Sequence, residues 1–388
     1  MTDREKNKAH LMKSMDKNLI RPTRLPWLSG IDATGARLSL DEKLAISLGR
    51  AKRWEFWPWW LYYAPIVVWI VWLGVKHRSP MAFTAVNPIL GDGGMAGERK
   101  HVALGPLQKN APDLVATFTL VASRSIDERT LSLLAFVERV GLPVVLKPDV
   151  GQRGRGVLVA RDIDSAQTYL SRFSGDVILQ RYVDGEEFGV FVARSAKTQT
   201  PEILSIVHKT FPVVVGDGVS TLHQLILNDA RAKLISAMLF KRWVDELDTV
   251  PEQGVIVKLV EIGAHSRGSV FLDGNHYASP DLLRTMTRLL DAVPGYSFGR
   301  IDLRAPSVDH FREGRGLQVM ELNGVSAESA HIYHPDTPIL VGYRAMFKQW
   351  SLAFVIGKEN IAAGVPTTSP LDLWRRFRED IERGERWF

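Results

Sequence analysis

Apolar positions change their spacing several times along this chain, and each change marks an element. From Phe56 to Val75 the polar positions vanish: FWPWWLYYAPIVVWIVWLGV runs for twenty residues without a charge. As a helix that run would be about 30 Å long, close to the thickness of a bilayer core. Ahead of it, LSLDEKLAISLGR (38–50) places apolar residues at helical spacing and predicts a short helix. Further on, Ser125 followed by Glu128 forms a capping-box pattern, and Leu133, Phe136, Val137 and Val140 mark one helical face. Gly141 stands where such a helix ends. LPVVLKP, VILQRYV and the stretch from Glu187 to about Ala193 read as buried strands, and strand and helix signals alternate up to about residue 325. That alternation predicts an α+β (or α/β) lobe. No repeat is present, and residues 1–24 are polar, basic and without period. The C-terminal LDLWRRFREDIERGERWF mixes both charge signs on a helical period, as a solvated helix resting on the body or on a membrane face would. Residues 79–115 are rich in Gly and Pro. Within them GDGGMA (91–96) fits a G-x-G-x-x-G/A pattern, but no strand leads in and no helix clearly opens after it, so it reads as a turn-rich loop.

Composition narrows the chemistry. With no Cys among 388 residues, disulfides, thiolate metal sites and a cysteine nucleophile are excluded. The net charge is +6, yet residues 1–78 alone carry +7 and the remainder −1. A nucleic-acid enzyme spreads its basic excess over the catalytic body. Here Lys52, Arg53, Lys76 and Arg78 bracket the apolar run, which points to a membrane surface and to no nucleic-acid partner. Six of the eleven Trp lie between Trp54 and Trp72, and Trp prefers the headgroup level. Pro58 and Pro65 interrupt the run and both flanks are basic, so no orientation follows. Three placements stay open: an interfacial or re-entrant hairpin, a single span, or an element packed on the protein's own core or on a partner. The run starts late and lacks a small-residue cleavage pattern, so it is not read as a signal peptide.

Three stretches carry candidate chemistry. KPDVGQRGRGV (147–157) sets Lys147 at a strand end before Gly151, Gly154 and Gly156. Such a loop has free backbone N–H groups that can fold over phosphates, with the ammonium as a point charge, although a plain Gly-rich hairpin reads equally well. LQRYVDGEEFGVFV (179–192) turns between two apolar strands. A purine could lie against Gln180, Arg181 and Val183, and Glu187 could accept from ribose hydroxyls, although paired glutamates are more often surface charges. GRIDLR (299–304) and LQVMELNGVSAES (317–329) each read as an apolar strand presenting a carboxylate. As antiparallel neighbours they would bring Asp302 and Glu321 to one face with Asn323 and Arg300 beside them. Hard oxygen ligands of that kind suit Mg²⁺, with a structural ion-pair cluster as the plainer reading.

The ordered set K-P-x-x-G-x-x-G-x-G, E/Q-x-x-x-x-G-x-E, R-x-D and E-x-N, spread over residues 115–335, resembles the ATP-grasp superfamily. HKTFPVVVGDGVSTLHQLI (208–226) is similar to a stretch of cyanophycin-synthetase-like carboxylate–amine ligases, and D-alanine–D-alanine ligase-type proteins share the pattern. The resemblance implies two α+β lobes clamping ATP. It places Lys147, Gly151, Gly154 and Gly156 on the phosphates, Gln180, Arg181 and Val183 on the adenine, and Glu187 on the ribose. It further implies Lys209 and Arg300 as the catalytic cations and Asp302, Glu321 and Asn323 as Mg²⁺ ligands. GAHSRG (263–268) stands in place of an N-x-S-T-G-G-like loop, so His265, Ser266 and Arg267, with Ser326, are expected at the substrate. The family's first phosphate lysine has candidates only in Lys109, Arg124 and Arg129. The expected organisation is a basic region 1–53, a Trp-rich membrane-associated segment 54–78, a linker or reduced lobe 79–124, an ATP-grasp domain 125–335 and a helical extension 336–388. The implied activity is ATP- and Mg²⁺-dependent joining of a small carboxylate to an amine through an acyl phosphate, at the cytoplasmic face of a bacterial-type membrane. A small-molecule or lipid-linked kinase and a non-catalytic nucleotide-binding protein are the alternatives. Substrate identity and oligomeric state are not set by the sequence.

Overall fold

The computed structural model describes residues 19–20, 38–122, 124–151, 154–261, 263 and 268–385. In chain order the elements are β1 (Leu19–Ile20), α1 (Leu40–Ala51), α2 (Trp59–Lys76), α3 (Lys100–Asn110), β2 (Phe118–Val121), α4 (Ile126–Val140), β3 (Val144–Pro148), β4 (Leu158–Ala160), α5 (Ile163–Arg172), β5 (Val177–Arg181), β6 (Glu186–Arg194) and β7 (Pro201–Thr210). They continue with β8 (Val213–Val215), α6 (Leu222–Asn228), α7 (Ser236–Arg242), β9 (Ile256–Lys258), β10 (Val270–Asp273), α8 (Pro280–Ala292), β11 (Phe298–Ala305), α9 (Val308–Arg312), β12 (Gln318–Asn323), α10 (Ile339–Ala362) and α11 (Pro370–Glu385). Two compact units emerge. One takes the described residues up to Trp57 together with Thr210–Val270, and the other runs from Pro58 to Lys209 and again from Phe271 onward.

The first unit is built on the sheet β1-β9-β8 and a core around Leu239, Phe240 and the fully buried Trp243. The Trp243 indole donates to the carbonyl of Leu259, so its one polar atom is satisfied inside the core. The short helix expected over 38–50 forms as α1, and Ser39 and Glu42 cap it reciprocally. The GDG stretch is a turn: Asp217 accepts from the N–H groups of Val219 and Ser220, and Thr221 with Gln224 forms the capping box that opens α6.

In the second unit, four antiparallel strands pair in the order β2-β5-β3-β4, with α4 and α5 packed on them. α4 buries Leu133 and Phe136 and ends at Gly141, whose φ of 76° lies where Gly is favoured. The other sheet runs β10-β7-β6-β11-β12, with β11 hydrogen-bonded antiparallel to both β6 and β12. α3 and α8 cover one face of it through Leu104, Leu107, Leu282, Met286 and Leu290. Strand period two divides β11. Ile301, Leu303 and Ala305 enter this core, while Arg300, Asp302 and Arg304 alternate with them and take the other face.

The apolar run proves to be one helix. α2 continues through Pro65, so the re-entrant hairpin is not formed. It packs on α10: Tyr62 stacks on Tyr343 at 5.5 Å, and Trp69 stacks on Phe347 at 4.9 Å. A helix, α3, also follows the 91–98 loop, contrary to the sequence reading. Its start carries no side-chain cap of its own, and so no local signal. Asp149 supplies the cap from outside, accepting the N–H of His101 at 3.0 Å.

Candidate functional site

The polar face of the five-stranded sheet is assembled by register. Asp302 lies opposite Glu321 on β12 and opposite Gly189 on β6; Arg304 lies opposite Glu187, and Glu187 opposite Lys209 on β7. Antiparallel partners of this kind have Cα atoms roughly 5 Å apart, so Asp302 and Glu321 share one face as the spacing requires. A bulge shapes β12. Its pairing skips Met320 between Glu321 and Val319, which lets Val319 and Leu322 both enter the core while Glu321 stays on the site. The Met320 carbonyl, freed from the ladder, accepts from the Lys147 ammonium at 2.8 Å.

Ion pairs knit this face together. Arg300 donates to both oxygens of Asp302, at 2.8 and 3.1 Å. Lys209 stands 3.2 Å from Asp302 and 3.2 Å from Glu187, and Arg304 grips the other oxygen of Glu187 with two nitrogens. The Asn323 amide lies 3.3 Å from Asp302. On the facing strands, Lys147 also donates to Gln180 at 2.9 Å. Gly189 leaves the room this needs: a Cβ there would stand 2.9 Å from an Asp302 oxygen and 3.0 Å from the Arg300 side chain. Gly189→Ala is therefore expected to fold but to lose roughly 10- to 100-fold in turnover through misplacement of both groups, measured as ADP release.

Lys147, Gln180, Glu187, Lys209, Arg300, Asp302, Glu321 and Asn323 thus come together. The others stand differently. Arg181 is exposed and donates to Gln318, and the Val183 carbonyl already accepts from Arg304 at 2.5 Å. Glu187, read as a ribose acceptor, is buried and engaged by two cations, so it positions them instead of presenting a free oxygen. Gly154 and Gly156 turn the loop with φ near 70°, and the Tyr169 hydroxyl fixes its far end by donating to the Gly156 carbonyl. The backbone N–H of the exposed Ser326 donates to the Gly94 carbonyl. His265, Ser266 and Arg267 lie outside the described residues.

Three residues of the site, Lys100, Glu98 and Arg304, were missed by the sequence reading. Lys100, the first residue of α3, is buried, stands 3.3 Å from Glu321 and donates to the Gly151 carbonyl at 2.6 Å, at the root of the glycine loop. Lys109, Arg124 and Arg129 were the candidates for the family's first phosphate lysine. Lys109 and Arg124 are exposed, and Arg129 is a buried strut donating to the carbonyls of Phe173 and Gly175. Glu98, at the end of the glycine-rich 91–98 loop, accepts the N–H of Gly324, just past Asn323. Arg304 could have been found from the alternation R-I-D-L-R; nothing local marks Lys100 or Glu98.

The electrostatics follow from burial and pairing. Burial would raise Glu187 and Asp302, but the cations beside them outweigh it and hold both carboxylates below their usual range. Burial draws the Lys147 ammonium down to about 8. Glu98 moves the other way, pushed up to about 8 by burial and then by the charge of Glu321. A carboxyl raised in this way stabilises the fold below its unfolded pKa, and that contribution is lost as the pH climbs through about 8. Glu98→Gln removes the loss. The variant is expected to be more stable than the parent at pH 9, by up to about 5 kcal/mol, with the gap closing toward pH 5 in denaturant titrations.

Among the described residues no three His, Asp or Glu form a ready ligand cage. The oxygen donors present are Asp302, Glu321 and Asn323 on one strand pair. That set fits a cation such as Mg²⁺, which takes one or two carboxylates and completes its shell with water and phosphate.

The chain is also similar in sequence to proteins of known activity. No family model matches the chain. The phosphoribosylamine–glycine ligase of Xanthomonas axonopodis pv. citri is 24% identical over 301 residues, which cover 69% of this chain and 67% of that ligase. The cyanophycin synthetase of a Synechocystis species is 22% identical over 219 residues, 50% of this chain but 24% of the synthetase. Among solved structures, D-alanine–D-alanine ligase from Bacillus anthracis superposes with a TM-score of 0.35 at 12% identity, covering 68% of this chain and 67% of that one. The chain therefore spans about two thirds of one relative and about a quarter of the other. The relatives are ATP-dependent carboxylate–amine ligases of the ATP-grasp family, and this chain is similar to them in sequence.

Proposed function

We propose that the protein is an ATP- and Mg²⁺-dependent ligase that activates a small carboxylate as an acyl phosphate and joins it to an amine. One observation carries the reading: Lys100, Lys147, Lys209 and Arg300 converge on the Asp302–Glu321 strand pair, so cations and hard oxygen donors line the same face. Phosphoryl transfer asks for little more than positioning and charge neutralisation. Lys100 and Lys147 would meet the phosphates beneath the Gly151–Gly156 loop, while Lys209 and Arg300 would neutralise the charge that develops on the transferring group. Asp302, Glu321 and Asn323 would hold Mg²⁺, which when bound draws phosphate oxygens together and offsets their charge. The closed loop would exclude water from the activated acyl group.

The decisive experiment follows ¹⁸O from a labelled carboxylate. A ligase releases ADP and phosphate in a carboxylate- and amine-dependent manner, with one labelled oxygen appearing in the phosphate. A kinase on the same scaffold yields a phosphorylated acceptor and no free phosphate, and a nucleotide-binding protein without turnover yields neither.

A further inference from the structure

We infer that α2 seats the protein flat on an anionic lipid surface, with its axis in the plane of the interface and not across the bilayer. The outward stripe of α2 is Trp59, Trp60, Leu61, Val67, Val68, Val71, Trp72 and Val75, all exposed, with Val68 at 69% and Val75 at 74%. The opposite stripe, Tyr62, Ile66, Leu73 and Gly74, is buried. The helix is apolar on both sides, with a mean hydropathy of 1.3, so the body of the protein takes the part that the polar face plays in an ordinary interfacial helix.

Two features select lipid over a protein partner. The outward stripe offers no hydrogen-bonding side chain apart from the indoles, whereas protein interfaces carry about one hydrogen bond per 100–200 Å². Its ends are those of a membrane-surface element: Trp59 and Trp60 at one, and at the other Trp72 with the Lys76 ammonium 4.9 Å over its ring and Arg78 exposed beyond.

A span is excluded by what α2 is fastened to. The Trp69 indole donates to the Phe347 carbonyl and to Ser351, both on α10. α10 in turn is bolted to the catalytic body. Gln349 accepts from the N–H and hydroxyl of Ser329 and donates to the Ala327 carbonyl, Lys348 pairs with Glu202, and Glu359 accepts from Ser195 and Ala196. Sinking α2 across a bilayer would either break these contacts or drag Arg344, Lys348 and Glu359 into hydrocarbon, a costly place for charge. Tyr62 on the buried stripe feels the charge of Glu328, a residue whose backbone reaches the site. Burial and then the charge of Glu328 hold the Tyr62 hydroxyl above its usual range, and the Glu328 carbonyl receives Arg300 at 3.5 Å.

The test uses the intact protein with phosphatidylcholine vesicles, with and without phosphatidylglycerol. Co-sedimentation is expected with the anionic vesicles, weakening as salt is raised. Val68→Glu together with Val71→Glu should lower it by roughly tenfold or more. In vesicles with brominated acyl chains, quenching should be stronger from shallow than from deep bromines. Most of it should vanish when Trp59, Trp60 and Trp72 are replaced by Phe, and little should change in Trp69→Phe. Absence of vesicle binding at low salt overturns the inference, as does a lipid-free dimer that the Val68/Val71 variant dissolves. Stronger quenching from deep bromines, with resistance to carbonate extraction, overturns the in-plane geometry.

Discussion

Asp302→Asn is expected to lower ligase turnover by about 10³-fold or more, a larger effect than any other single substitution in the site should have. Asp302 is the one group that Arg300, Lys209 and Asn323 all approach, and it is also a donor in the proposed Mg²⁺ set. Neutralising it leaves two buried cations with one counter-charge fewer, and breaking such a pair from one side costs roughly 3–5 kcal/mol of stability. Glu321→Gln separates chemistry from folding. Glu321 is more exposed than Asp302 and pairs with Lys100, so the variant should stay folded in thermal denaturation. It should still lose about 10²-fold in turnover and require a higher Mg²⁺ concentration for half-activation. If Asp302→Asn turned over normally while folded, the site would lie elsewhere.

The second large effect is on nucleotide affinity. Lys147 is held near 8 by burial, and it can meet a triphosphate only as an ammonium. Below that pH it is already charged. Above it, binding must take up a proton, so the Kd for ATP should rise by up to tenfold per pH unit beyond about 8. Lys147→Met should weaken binding on the order of 100-fold at pH 7 and flatten this slope. Glu98 titrates in the same range, so Glu98→Gln serves as the control and should keep the slope. An unchanged pH dependence in Lys147→Met would remove Lys147 from the phosphate site.

The strand pair, the lysine-led loop and the turn within 179–192 were legible because each is a local pattern. Alternation in G-R-I-D-L-R sorts core from site within six residues, and capping at Ser125 marks a helix start over four. What the patterns could not reveal was the use made of each group. Glu187 reads like a ribose ligand, yet register sets Arg304 and Lys209 on either side of it and engages its oxygens. The bulge at Met320 has no residue signature, although it frees the carbonyl that holds Lys147.

The sequence by itself determined strands β3, β5, β6, β11 and β12 and helices α1 and α4, which of their faces are apolar, and the chemical types of the Asp302, Glu321, Asn323 and Arg300 set, since these depend on period and side-chain chemistry over a few residues. Only the tertiary structure decided that Lys100 and Glu98, from a glycine-rich stretch some 200 residues before Glu321, complete that set, and that α2 lies along α10 in place of folding back. Contacts between residues so far apart in the chain are selected by how cores pack and how buried charges find partners, and no short window of sequence records that choice.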